Sequence, residues 1–121
     1  MEERRQFVRL DTRLPMTYQV LPSSRSVQVV AKDISGGGVC VFLKDVLPKG
    51  THLQIEITLP DRNRSITFTG EVAWCEEYQI IGKSRQERSV EAGVRFLQID
   101  PRDQHAIMEY VILSLQPNRQ A

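Results

Sequence analysis

Apolar side chains recur at every second position along much of this chain, which is the signature of half-buried β-strands. Leu14, Met16, Tyr18 and Val20 make the first such set, with Pro15 placed at the strand start or on an edge. A Leu21-Pro22-Ser23-Ser24 turn leads to a Val-rich strand over residues 25–33, which Ser35-Gly36-Gly37-Gly38 interrupts. Gly38 to Leu43 forms a third strand, and Leu47-Pro48-Lys49-Gly50 a turn. Residues 51–59 alternate cleanly, with Leu53, Ile55, Ile57 and Leu59 on one face. After a turn at Pro60 to Asn63, residues 64–75 alternate again. Ile66, Phe68, Val72 and Trp74 share the inward parity, and Gly70 at an inward position marks a bulge or a close backbone approach.

Residues 76–88 are polar except for Ile80 and Ile81, which predicts the longest connection and a mobile one. Val90 to Ile99 is the last strand. Asp100 then reads as a helix N-cap, with Pro101 at the first helical position and Asp103 in the first turn. Ala106, Ile107, Tyr110, Val111 and Leu115 keep helical spacing on one apolar face, and Pro117-Asn118 ends the helix. Six or seven strands and one terminal helix predict a small antiparallel barrel or sandwich, mainly β. Residues 1–13 read as a flexible arm carrying Arg4, Arg5, Arg9 and Arg13, and residues 14–117 as the folded unit. The helix either closes one end of the barrel or serves an interface.

Composition changes this picture little. A chain of 121 residues buries enough surface to need no disulfide or metal staple. Sixteen basic and 15 acidic side chains nearly cancel, which excludes a histone-like or polybasic membrane-coating protein. Cys40 and Cys75 stand singly in apolar stretches, without zinc spacing, and read as buried thiols. No apolar run approaches the roughly 18 residues of a membrane span, and no apolar segment follows the charged N-terminus. The expected compartment is the cytoplasm, without membrane insertion.

No catalytic constellation is present. His52 and His105 are the two histidines, and neither has a partner motif. Gly36-Gly37-Gly38 leads into a strand and not a helix, so a phosphate-binding helix N-terminus does not follow it. No enzyme, no catalytic residue, no metal and no cofactor are expected. Two features remain. In an extended arm Arg5, Phe7 and Arg9 share a face, which sets two guanidinium forks about 13 Å apart along the chain. Such forks grip phosphate or a guanine edge in two places. Asp33 and Ser35 point to one side of an extended stretch, and Asp accepts from the N–H groups of a guanine edge. Gly37 and Gly38 let backbone N–H groups approach a ligand.

With these residues the sequence resembles the PilZ domain family, receptors for the bacterial second messenger cyclic di-GMP. Arg5 and Arg9 match its RxxxR motif, and Asp33, Ser35 and Gly38 match its [D/N]xSxxG motif. Gly70-Glu71-Val72-Ala73-Trp74 and Ala92-Gly93-Val94-Arg95-Phe96 look like the family's fifth and sixth strands, so the likeness runs over residues 3–115. The resemblance implies a six-stranded antiparallel β-barrel with a C-terminal α-helix and ligand on the outer face. Arg5 and Arg9 would engage phosphate and the guanine Hoogsteen edges, Asp33 a Watson–Crick edge and Ser35 a further ligand hydrogen bond, with Gly38 permitting close packing. An Arg just before the RxxxR motif favours an intercalated ligand dimer in the family. Arg4 fills that position, which implies two cyclic di-GMP per chain. Arg13 and Trp74 are additional candidates, Trp74 against its core parity. A single-domain receptor of this kind would be a monomer or weak dimer. It would change conformation as the arm folds over ligand, and so regulate an unidentified protein in a motility, pilus or exopolysaccharide and biofilm pathway. The alternative is an adaptor of the same fold that answers to a protein and not to nucleotide. A nucleic-acid-binding barrel is disfavoured, because the aromatics mostly have core parity and net charge is near neutral.

Overall fold

The computed structural model describes residues 8–60, 65–81 and 86–115. Six strands and one helix follow in chain order: β1 (Leu10–Val20), β2 (Ser26–Ile34), β3 (Gly38–Leu43), β4 (His52–Thr58), β5 (Ser65–Ile81), β6 (Gln86–Gln98) and α1 (Pro101–Leu115). All strand pairs are antiparallel, and the order β1-β2-β3-β6-β5-β4 closes on itself through the β1–β4 pairing. The cause is the period-two pattern. Leu14, Met16 and Tyr18 of β1, Leu53, Ile55 and Ile57 of β4 and Ile66, Phe68 and Val72 of β5 all point into the barrel interior and are nearly inaccessible. Val39 and Val41 of β3 and Val90, Ala92 and Val94 of β6 complete the lining.

The helix closes one end. Its N-cap is as the sequence predicts: the Arg102 amide donates to the Asp100 carboxylate at 2.8 Å, and the Asp103 and Gln104 amides donate to the Asp100 carbonyl. Ala106, Ile107 and Val111 enter the barrel core, and Tyr110 packs at its margin. Leu115, expected on that face, is exposed at the last turn. The residues expected to end the helix lie outside the described ones, as do Arg4, Arg5 and Phe7.

Three expectations are corrected. β1 starts at Leu10, so the folded unit takes in residues 10–13, which the sequence assigns to the arm; a register shift between Asp11 and Leu14 breaks the alternation there. The stretch 76–88 is no long connection. β5 runs to Ile81, β6 begins at Gln86, and the two pair from Glu76–Glu91 out to Ile81–Gln86 as a two-stranded ribbon. Trp74 is not core. A bulge between Val72 and Trp74 inserts Ala73 without a partner on β6, reverses the parity and turns the indole outward, 41% exposed. Gly70 keeps its inward place beside a second bulge, and a Cβ there would run into Val94.

Candidate ligand-binding site

Strand pairing assembles the site on the outer wall. Asp33 on β2 pairs with Cys40 on β3, Cys40 with Gly93 on β6, and Gly93 with Trp74 on β5. Asp33, Cys40 and Gly93 have outward parity, since their chain neighbours Ile34, Val39 and Val94 point into the core, and Trp74 joins them through the bulge after Val72. The next row along runs Gly38, Arg95, Glu71, His52. Asp33 reaches this face only because a bulge between Ala31 and Asp33 spends Lys32 as an extra residue. Together with Arg9, which precedes β1, and with the Ser35–Gly38 loop, the first row and Arg95 of the second line a cleft of about 210 Å³.

Each wall has a local reason. Ser35 ties its own loop: its amide donates to the Gly38 carbonyl at 2.9 Å, and its hydroxyl accepts from the Gly37 amide at 3.1 Å. Gly38 lies so close to β6 that a Cβ would overlap the Val94 carbonyl oxygen, so no other residue fits without moving the strands. Gly93 is the seat of Trp74: a Cβ there would fall 2.6 Å from the indole Cε2. The ring therefore lies across bare backbone and forms an aromatic shelf along one side of the cleft. Asp33 is only 7% exposed, yet among the described residues its carboxylate has no hydrogen-bond or ion-pair partner. Burial, and secondarily Asp33, push the Cys40 thiol pKa up, so the wall beneath the carboxylate is neutral.

Of the residues singled out in the sequence, Arg9, Asp33, Ser35, Gly37, Gly38 and Trp74 meet in this cleft. Arg4 and Arg5 lie outside the described residues. Arg13 is not part of the lining. Its guanidinium sits over the Phe42 ring at 5.5 Å and donates to the Thr12 carbonyl at 2.7 Å. Lys32 flanks the same ring and is paired with Glu91 at 3.1 Å, a hydrogen bond that raises its pKa. Sequence reading passed over Cys40, Gly93 and Arg95. Arg95 lines the cleft and is ion-paired to Glu71, whose other oxygen lies 3.6 Å from His52. Two larger hollows, of about 690 and 450 Å³, have no Arg or Lys among their lining residues. No group of three or more His, Cys, Asp or Glu suited to a metal occurs among the described residues, nor does a helix long and apolar enough to cross a membrane.

The architecture has counterparts among solved structures. The Bacillus subtilis inhibitor of motility, MotI/DgrA, superposes with a TM-score of 0.78 at 24% identity, over 98% of this chain and 55% of that one. The PilZ domain of Escherichia coli YcgR, solved with c-di-GMP, gives 0.72 at 20% identity, over 93% of this chain and 92% of that domain. The K. pneumonia MrkH–c-di-GMP complex gives 0.76 at 19%, over 99% and 56%. The chain thus spans about half the length of MotI/DgrA and of MrkH. These likenesses are of fold. No curated protein matches the sequence. The PilZ domain model matches residues 3–113, nearly the whole chain, and with the closed barrel and its terminal helix it settles the family: this chain belongs to the PilZ domain family.

Proposed function

We propose that this chain is a cyclic di-GMP receptor and not an enzyme, and that the cleft between Arg9, Asp33 and Trp74 receives the nucleotide. The observation that carries the reading is the nearly buried Asp33 carboxylate, without a hydrogen-bond or ion-pair partner among the described residues, in a cleft that also holds a guanidinium and an indole. A guanine offers a carboxylate two donors on its Watson–Crick edge and offers Arg two acceptors on its Hoogsteen edge. The indole supplies a stacking face, and Arg9 with the motif's Arg5 meets the phosphates. Arg4 favours two ligands per chain. YcgR and MrkH have both been solved with c-di-GMP, which supports the ligand class.

The downstream action is regulation of a partner by ligand-dependent change. MotI/DgrA is an inhibitor of motility, and motility is the pathway this chain would join first. An adaptor that ignores nucleotide is the second reading. It is favoured by Ile112, Leu113 and Leu115, which α1 leaves exposed as a surface for a protein.

Calorimetric titration with cyclic di-GMP, with GTP and cyclic di-AMP as controls, separates the two. Selective binding near two per chain supports the receptor and the role of Arg4; near one retains the receptor and removes that role. Arg5→Ala, Arg9→Ala and Asp33→Ala should each weaken binding about ten- to a hundredfold, since a hydrogen bond to a charged group is worth about 1.5–3 kcal/mol. Their melting curves should stay cooperative. Wild-type affinity in these variants would remove the site assignment, and no binding by the wild type would leave the adaptor.

A further inference from the structure

We propose that Arg95 is a further phosphate-binding side chain of this cleft, and that Glu71 holds it in reserve, so that ligand must draw it away. The inference rests on the receptor reading above and concerns the tuning of the same site. Arg95 and Glu71 are register partners on β6 and β5, and the guanidinium sits on one carboxylate oxygen. The Arg95 side chain is 58% exposed, so this is a solvated ion pair of the weak kind. On the opposite side its register partner is Gly38, which has no side chain. Arg95 lines the same cleft as Asp33 and Arg9. Neighbouring strands lie about 4.8 Å apart, within the reach of an Arg stem.

A phosphodiester in the cleft competes well for that guanidinium. It presents two oxygens to the planar fork, where a bidentate pair is stronger and more directional than a solvated contact. Glu71 is not left stranded by the exchange, because its side chain keeps access to water, with His52 3.6 Å from its other oxygen. In the absence of ligand Glu71 lowers affinity twice, by occupying Arg95 and by placing a negative charge beside the phosphate position. Arg95 is the one guanidinium besides Arg9 among the described residues that line the cleft.

Cyclic di-GMP titrations of the whole chain at two salt concentrations test this, using Glu71→Gln, Arg95→Ala and the double variant. Glu71→Gln should bind about two- to fivefold tighter, the size of one released surface pair. Arg95→Ala should bind about three- to tenfold weaker and with a shallower salt dependence, which a merely structural residue would not alter. The double variant should bind no tighter than Arg95→Ala, because the gain passes through Arg95. Arg95→Gln keeps the side-chain bulk and repeats the measurement if the alanine variant melts early. Unchanged affinity in Glu71→Gln or Arg95→Ala overturns the proposal, as does an equal gain in both backgrounds. If Arg9→Ala and Asp33→Ala lose binding while these variants match wild type, this inference alone falls. If wild type does not bind, both readings fall.

Discussion

Replacing Gly93 by Ala puts one methyl group where the Trp74 indole now rests. The added Cβ would lie 2.6 Å from Cε2 and 2.8 Å from Cδ1, well inside ordinary contact. Backbone cannot yield in a strand paired on both sides, so the ring must lift by about 1 Å or leave. A Trp covers on the order of 200 Å² when packed; uncovering a quarter to a third of that costs about 1–2 kcal/mol at 25 cal/mol per Å². Removing a strand glycine returns about 0.5–1 kcal/mol of backbone entropy. The net loss of stability is therefore about 0.5–1 kcal/mol, or roughly 2–5 °C in melting temperature for a domain of this size. Ligand affinity should suffer more, because one stacked base is worth about 1–3 kcal/mol. Trp74 is the sole tryptophan of the chain, so its fluorescence reports on this ring alone. The expected result is a shifted emission maximum, a cooperative melt and about tenfold or greater weakening of cyclic di-GMP binding. An unchanged emission spectrum with wild-type affinity would refute the account of Gly93 as the seat of Trp74.

Gly38→Ala should be the harsher glycine variant, since its Cβ meets the Val94 carbonyl and not a movable ring. Its melting temperature should drop further than that of Gly93→Ala, with faster exchange of the β3–β6 amides. Asp100→Ala removes the helix cap and should cost about 1 kcal/mol by denaturant titration, without altering ligand affinity. The raised pKa of Cys40 has a pH signature. The folded chain keeps this proton to higher pH than the unfolded chain, so stability falls as pH climbs from the ordinary thiol value toward the raised one. Alkylation at pH 8 should label half-buried Cys75 ahead of Cys40, and faster Cys40 labelling would contradict the burial described.

Period-two alternation was legible wherever a strand had one face in the core and one in water, as in β4 with Leu53, Ile55 and Ile57. It was illegible from residue 76 on, because the β5–β6 ribbon leaves the barrel there. Glu76, Tyr78 and Arg88 all face solvent, and no buried face imposes a pattern. Trp74 shows a second limit: one inserted residue, Ala73, inverts every parity beyond it, and no composition marks a bulge of this kind. The site divides similarly. Arg9, Asp33, Ser35 and Gly38 lie close along the chain or in short motifs and could be read directly. Gly93 and Arg95 join them only through pairing across three strand boundaries, and Cys40, buried as its sequence context indicates, reaches the cleft wall by the same register.

Closure of the sheet has a consequence for how this chain can be approached. With β1 bonded to both β2 and β4, the sheet closes, and open rows of amides and carbonyls in the barrel wall are confined to strand ends such as Ser26–Val29 of β2, which extend past the last β3 partner. Among the described residues, long unpaired margins occur where the ribbon projects, along the outer sides of residues 74–81 and 86–89, since β4 pairs with β5 only up to Glu71 and β3 with β6 only from Val90. Those margins carry Glu76, Glu77 and Arg88, the last two joined at 2.9 Å. Charge of that kind discourages indiscriminate strand addition, the first step of aggregation. A partner of the proposed receptor would then engage side chains on the wall or the helix more readily than a backbone edge, and side chains, unlike an edge, are what the proposed ligand would rearrange.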